Sequence, residues 1–314
     1  MKELEVVLVA GGNGFLGSNL IKELTKKYKV ISVDNYLTSS RGRLEKNQNL
    51  VDLEHDIVEP IEIKGEIKAI FHMASPASPV DYLRYPLETM LANSSGTLNL
   101  LNLAVEKKAR FIYLSTSEVY GDPQVSPQVE SYFGNVNPVG PRSVYDEAKR
   151  YGEALTNLYQ KEKNADTVIL RIFNTYGPGM RLDDGRVVPA MINAILNNNP
   201  LPIQGDGEQL RSFCYVEDLT QALIKALDCK YAGPINIGSN HEISMLELAN
   251  IFKKITKYTA TNTYLAKREE DPSNRCPDLS NAKLYLGWSP TTGLEDGLSK
   301  TCSYYGVNQL LQRN

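Results

Sequence analysis

The hydrophobic pattern along the chain alternates between short unbroken apolar runs and longer amphipathic stretches. Val6–Ala10 is apolar at every position, as a parallel strand buried on both faces requires. Residues 18–27 then set Leu20, Ile21 and Leu24 on one helical face. Strand-like runs recur at Lys29–Val33, Leu50–Leu53, Ala69–Ala74 and Phe111–Leu114, and a long helix is predicted over Pro86–Lys107. Strands alternating with helices predict an α/β fold with a doubly wound parallel sheet. After Asn174 the periodicity changes and Pro and Gly become more frequent. Helices are predicted over 187–197, 216–227 and 244–254, the last opened by Ser244 with Glu247 three residues on, a capping box. Short strands are predicted at 202–207, 211–216 and 234–238, with 211–216 returning to the first sheet. Two lobes result. Residues 1–173, rejoined by 211–232, form a dinucleotide-binding lobe; 174–210 and 233–314 form a smaller C-terminal α/β lobe for substrate, with the cleft between them. The charged, Pro-containing stretch Lys267–Pro277 reads as a flap.

The turn after the first strand carries chemistry. Gly11-Gly12-Asn13-Gly14-Phe15-Leu16-Gly17 spaces its glycines as G-x-x-G-x-x-G between a strand and a helix, the context in which a backbone can approach a pyrophosphate at a helix N-terminus. This makes the sheet Rossmann-type. The second strand ends at Asp34, 20 residues after Gly14, where a carboxylate accepts both ribose hydroxyls and repels a 2′-phosphate; NAD is therefore favoured over NADP. Arg41 and Arg43 lie nearby and meet phosphates or solvent. Asp56-Ile57 closes the third short strand and either faces the adenine or is a plain loop acid, and the small residues that follow the fourth strand's end at Ala74 let the backbone lie against a cofactor. Asn93, inside the predicted long helix, caps a neighbouring strand or touches the cofactor. His72, within a buried run, reads as structural.

Composition narrows the partners. A formal charge of −3 with no basic block argues against nucleic acid. No apolar run reaches the roughly 20 residues needed to span a bilayer. The segment Met1–Glu5 is charged and leads straight into a strand, so no signal peptide is expected. Four scattered cysteines show no metal-ligand spacing and read as reduced thiols of a cytoplasmic protein.

The strand Phe111–Leu114 ends in Ser115-Thr116-Ser117-Glu118-Val119-Tyr120-Gly121, polar groups at the sheet edge where substrates bind. Thr116 or Ser117 can hydrogen-bond a reacting hydroxyl, and Glu118 can act as a base near it. Tyr145 and Lys149 stand four apart, on one face of a helix. An ammonium there favours the phenolate and lowers the tyrosine pKa. Such a tyrosine takes a proton from a sugar hydroxyl as the carbon gives up a hydride.

Together, Gly11–Gly17, Ser115–Gly121 and Tyr145–Lys149 resemble the extended short-chain dehydrogenase/reductase family of nucleotide-sugar enzymes. Within it, His72–Pro79, Ser115–Pro123, Asn137–Arg142, Arg171–Pro178, Asp184–Val188 and Asp271-Pro272 with Arg275, Pro277 and Asp278 are most similar to its UDP-glucuronate decarboxylase branch. The resemblance covers nearly the whole chain. It implies NAD as cofactor, held by Gly11, Gly14, Phe15, Leu16, Gly17, Asp34, Asn35, Asp56, Ile57, Ala74, Asn93 and Tyr176 with Tyr145 and Lys149. It implies Tyr145 as the base at sugar C4, Lys149 tuning it, Thr116 sharing the proton relay and Glu118 beside C5 and C6. Ser117, Asn174, Arg186, Gln204, Arg211 and Arg275 would bind the nucleotide-diphosphate sugar, guanidinium groups suiting pyrophosphate and carboxylate. It also implies a homodimer through the helices Pro86–Lys107 and Tyr145–Lys161.

Two departures bear on the reaction. Related 4,6-dehydratases carry Asp-Glu where this chain has Ser117-Glu118, and a serine is too weak an acid to expel a hydroxyl. The decarboxylase branch carries a Lys at the position of Leu91, which leaves a C4 dehydrogenase or epimerase acting on a non-uronate sugar as the alternative. A binding protein without turnover is a further alternative, against which Tyr145, Lys149 and Thr116 all speak.

Overall fold

A computed structural model describes residues 4–267, 272 and 274–307. Asp271, and with it part of the stretch expected to form a flap, lies outside the described residues.

The apolar runs become a seven-stranded parallel sheet ordered Pro234–Ile237, Thr167–Ile172, Arg110–Thr116, Ala69–His72, Val6–Ala10, Lys29–Asp34, Leu50–Glu54. Side-chain alternation explains why Val6–Ala10 had to be apolar throughout. Val7 and Val9 point to one face, packing with Leu20, Ile21 and Leu24 of helix Phe15–Leu24 and Leu219, Ala222 and Leu223 of helix Val216–Ala226. Leu8 and Ala10 point to the other, packing with Leu100, Leu101 and Ala104 of helix Ser95–Lys107. The fold is thus a Rossmann-like doubly wound sheet, covered on both faces.

The second lobe has its own core, in which Met191, Ile192 and Ile195 of helix Val187–Leu196 meet Leu248, Ala249 and Phe252 of helix Met245–Thr256. Ser244 caps that second helix in the expected capping box with Glu247.

Three expectations are corrected. The long helix is two, Pro86–Asn93 and Ser95–Lys107, broken at Ser94 with φ −110° and ψ −85°. Asn93 at the break is fully buried and turns its amide to Ser75, Thr89 and Tyr113. The segment 211–216 does not join the central sheet: Leu210–Ser212 pairs with Glu242–Ser244, and Cys214–Tyr215 with Thr175–Tyr176. The Cys214 side chain and the following helix pack against the first lobe. Conversely Pro234–Ile237, assigned to the substrate lobe, is the seventh strand beside Thr167–Ile172, and Ala282, Leu286 and Trp288 pack into the core on one face of that sheet.

Gly152 lets the helix Ser143–Lys163 lie close to the sheet. A Cβ there would sit 2.0 Å from the hydroxyl of Tyr113, a fully buried ring on the strand Arg110–Thr116. Gly152→Ala should therefore destabilise the protein, by about 1–3 kcal/mol for overpacking, although helix propensity alone favours Ala by about 1 kcal/mol. Urea unfolding checks this; a more stable variant would show that the close approach carries no weight.

Candidate active site

Two cavities with shared lining residues lie at the C-terminal ends of the parallel strands. The larger, of about 510 Å³, lies between the lobes; the smaller, of about 210 Å³, lies over the second strand's end. Both are lined by Gly11 and Gly14.

Glycine at the first turn is required by space. Gly11 has φ +81°, and a Cβ there would stand 2.7 Å from Ala74 N. A Cβ at Gly17 would meet the Gly11 carbonyl oxygen at 2.2 Å. A Cβ on Gly14, the N-cap of the following helix, would have only that carbonyl near it, at 3.2 Å, so its other side faces the cavity. No side chain caps this helix, so its first N–H groups are free to bind an anion. Asp34 closes the floor of the smaller cavity. Its carboxylate accepts from the N–H of Asn13 and Tyr36 and from the Ser39 hydroxyl, at 2.8–2.9 Å. Asn35 donates to Asp56 at 3.0 Å, and Asn35, Asp56, Ile57 and Ala74 line this cavity with Leu91. A glycine cradle opening on free helix N–H groups, with a carboxylate at the next strand end, fits a dinucleotide. Arg43 lines the larger cavity, hydrogen-bonding Ser18 and the Gly179 carbonyl, whereas Arg41 pairs with the exposed Glu54.

The larger cavity gathers Phe15, Leu16, Gly17, Thr116, Ser117, Glu118, Tyr145, Lys149, Asn174, Tyr176, Arg186, Gln204, Arg211 and Arg275. Asn93 lines neither cavity; its amide donates to Ser75, which lines both.

Around Tyr145 the geometry is tight. Its hydroxyl faces the Thr116 side chain, which favours the phenolate. Lys149 Nζ donates to the Leu114 carbonyl at 2.9 Å and lies 6.0 Å from the Tyr145 ring centre. Burial, and then the charge of Glu118, hold the Tyr145 phenol well above its ordinary range. Burial pulls the Lys149 ammonium down to about 7, with Glu153 opposing. The expectation that Lys149 depresses the tyrosine pKa is therefore not met in the protein alone. Both groups are buried, and a dry site disfavours both charges before their attraction counts.

Glu118 is gripped by Arg275, with Nη1–Oε1 at 2.5 Å and Nη2–Oε2 at 2.6 Å, and by Arg142. Arg186 forks onto Asp184 at 2.6–2.8 Å, and Arg211 donates to the Pro272 carbonyl at 2.6 Å. Arg186, Arg211 and Arg275 come from the second lobe and Arg142 from the first, so the site draws on both lobes.

Two contributors escape a sequence reading. Tyr82 stacks on Tyr145 with ring centres 5.1 Å apart and planes 8° from parallel; its signal was the N-cap Ser78 with Pro79 and Asp81, which starts the helix Pro79–Arg84. Arg181 spans the cleft, bonding Asp81 at 2.9 Å and the Thr38 carbonyl at 2.7 Å.

The chain matches the model of the NAD dependent epimerase/dehydratase family over residues 7–238. It is 42% identical over 308 residues to UDP-glucuronic acid decarboxylase 1 of Xenopus tropicalis, covering 97% of this chain and 73% of that one. It is 45% identical over 297 residues to UDP-glucuronic acid decarboxylase 6 of Arabidopsis thaliana, covering 93% and 86%. Among solved structures, UDP-glucuronic acid 4-epimerase from Bacillus cereus, in complex with UDP-glucuronic acid and NAD, superposes with a TM-score of 0.83 at 30% identity, covering 97% of this chain and 99% of that one. A glycine cradle for a dinucleotide, a buried Tyr–Lys–Thr group at the sheet edge and these likenesses agree: the chain belongs to the NAD dependent epimerase/dehydratase family of enzymes.

Proposed function

We propose that this protein is an NAD-dependent UDP-glucuronate decarboxylase that forms UDP-xylose through a 4-keto sugar. The observation that carries the reading is the gathering of Tyr145, Thr116 and Lys149 in one cavity with Glu118 and the Arg275 that grips it. The decarboxylase relatives add to it. The position where those enzymes' branch would carry a lysine, Leu91, lines the smaller cavity and not the one around Tyr145; this weakens the case for a non-uronate sugar.

In this reading Gly11, Gly14 and Gly17 hold the pyrophosphate of NAD, and Asp34 its ribose. NAD, when bound, supplies the hydride acceptor for the sugar and later the donor. Tyr145 takes the proton of the C4 hydroxyl, with Thr116 sharing it. The resulting ketone lies β to the carboxylate, so the C5–C6 bond breaks with its electrons flowing into the C4 carbonyl, and carbon dioxide leaves. C5 then takes one proton, and the C4 carbonyl is reduced again. Arg186, Arg211, Asn174 and Gln204 bind the nucleotide diphosphate, and Arg275 faces the sugar carboxylate. Ser117, a hydroxyl where dehydratases carry Asp, disfavours loss of the 6-substituent as water.

We also place the enzyme in the cytoplasm as a homodimer. No described helix is long and apolar enough to cross a membrane, and all four thiols are free and buried. Leu87, Met90, Leu98, Tyr151 and Leu158 are exposed on the paired helices of residues 86–107 and 143–163, the kind of apolar patch that marks an interface.

The test is incubation with UDP-glucuronate and NAD. Carbon dioxide and UDP-xylose should appear in equal amounts, with NAD not consumed. Accumulating NADH, or a C4 epimer without carbon dioxide, would replace this reading by the dehydrogenase or epimerase one.

A further inference from the structure

Behind the cavity lies a carboxyl group that the mechanism above does not use. Asp146 follows Tyr145 on the helix Ser143–Lys163 and is 4% exposed. Its Oδ1 is buried with no hydrogen-bond partner. Its Oδ2 lies 3.8 Å from Arg142 Nε, too long for a hydrogen bond. Arg142 is committed to Glu118, which Arg275 also grips. The charged and titratable groups around Asp146 are Arg142, Tyr145 and Glu147 on its own helix, Glu118 from the turn after the strand Arg110–Thr116, Arg275 from the second lobe and Tyr82 from the helix Pro79–Arg84.

Charge counting gives this arrangement a meaning. Two guanidiniums and one carboxylate, Arg142, Arg275 and Glu118, sum to one positive charge. An ionised Asp146 cancels it; a neutral Asp146 leaves it. A buried carboxylate that lacks hydrogen bonds and stands near another carboxylate is disfavoured on both counts. Burial, and then the charge of Glu118, push the Asp146 carboxyl up to about 8.

We propose that Asp146 is a specificity-determining, positioning residue: held neutral, it leaves the Arg142–Glu118–Arg275 group with one positive charge, which selects a nucleotide sugar bearing one negative charge on the sugar. It acts through Arg142 and does not touch the substrate. The inference rests on the decarboxylase reading for the identity of that anionic sugar. It adds a consequence: the preference for a uronate fades as Asp146 ionises.

The experiment compares two ligands that differ only in sugar charge. In the Tyr145→Phe background with NAD present, binding of UDP-glucuronate and UDP-glucose is measured by calorimetry from pH 6.5 to 9.5. The ratio of the two dissociation constants cancels every titration that affects both ligands alike, and the Asp146→Asn arm separates Asp146 from Lys149, which lines the same cavity. The ratio should favour UDP-glucuronate below pH 8 and decline above it, approaching about tenfold per pH unit for one linked proton. Adding Asp146→Asn, which stays neutral, should hold the preference flat to pH 9.5. A ratio independent of pH with Asp146 present overturns the proposal, whether or not the Asn variant folds. A flat ratio in a protein that still releases carbon dioxide defeats this inference alone. A declining ratio in one that releases none defeats only the decarboxylase reading.

Discussion

Replacing Tyr145 by Phe should lower sugar oxidation by about 10²–10⁴-fold, the usual worth of a positioned general base, while leaving NAD binding intact. The hydroxyl faces Thr116, whereas the ring is held separately, by its stack on Tyr82 and by burial. Phe keeps the ring and loses only the oxygen. Stopped-flow absorbance at the NADH band after mixing with UDP-glucuronate checks the oxidation step, and the NAD content of the purified variant checks the cradle. Near-normal oxidation in that variant would remove Tyr145 from the chemistry. Because burial keeps the free phenol protonated at neutral pH, oxidation in the intact enzyme should speed up with pH as the phenolate becomes accessible, and this rise should vanish in the Phe variant.

Glu118→Ala should cost about 3–5 kcal/mol of folding stability, the penalty for breaking a buried ion pair. Removing the carboxylate leaves Arg142 and Arg275 facing each other with side chains 13% and 9% exposed. That is two buried cations whose nearest remaining carboxyl, Asp146, stands 3.8 Å from Arg142 Nε and makes no hydrogen bond to it. Arg275 also belongs to the second lobe, so the loss should loosen the closure of the cleft. Guanidinium unfolding at unchanged denaturant slope measures it. A loss below about 1 kcal/mol would mean that water screens the pair as it does at a surface.

What could be seen in advance follows from the range of the interactions. Val6–Ala10, Gly11–Gly17 and Asp34 act locally, through pleat, turn and strand end, and their roles show in the residue order. Tyr145 and Lys149 are one helical turn apart, so their pairing was visible too. Their protonation was not, because spacing does not reveal that both are buried. The grip on Glu118 joins residues 24 and 157 positions away, beyond any local pattern. The break at Ser94 was hidden because the apolar period continues across it; what turns the chain is the demand of the buried Asn93 amide for Ser75 and Tyr113. The allegiance of Pro234–Ile237 was hidden as well. Four residues of strand propensity do not say which sheet they complete, and only the helix Val216–Ala226, lying on the first lobe, brings them there.

That last strand makes the two halves of the molecule interdependent. A fragment stopping at residue 173 would seem to hold the whole nucleotide cradle, yet it would end with Thr167–Ile172 as an uncovered border, its backbone N–H and C=O groups unpaired where Pro234–Ile237 should run. It would also bare the faces of Val7, Val9 and Leu24 that Leu219 and Leu223 shield. Such a piece is expected to stick to its own copies on expression. Swapping substrate modules between relatives would therefore have to carry over several interleaved segments, because no single cut separates them.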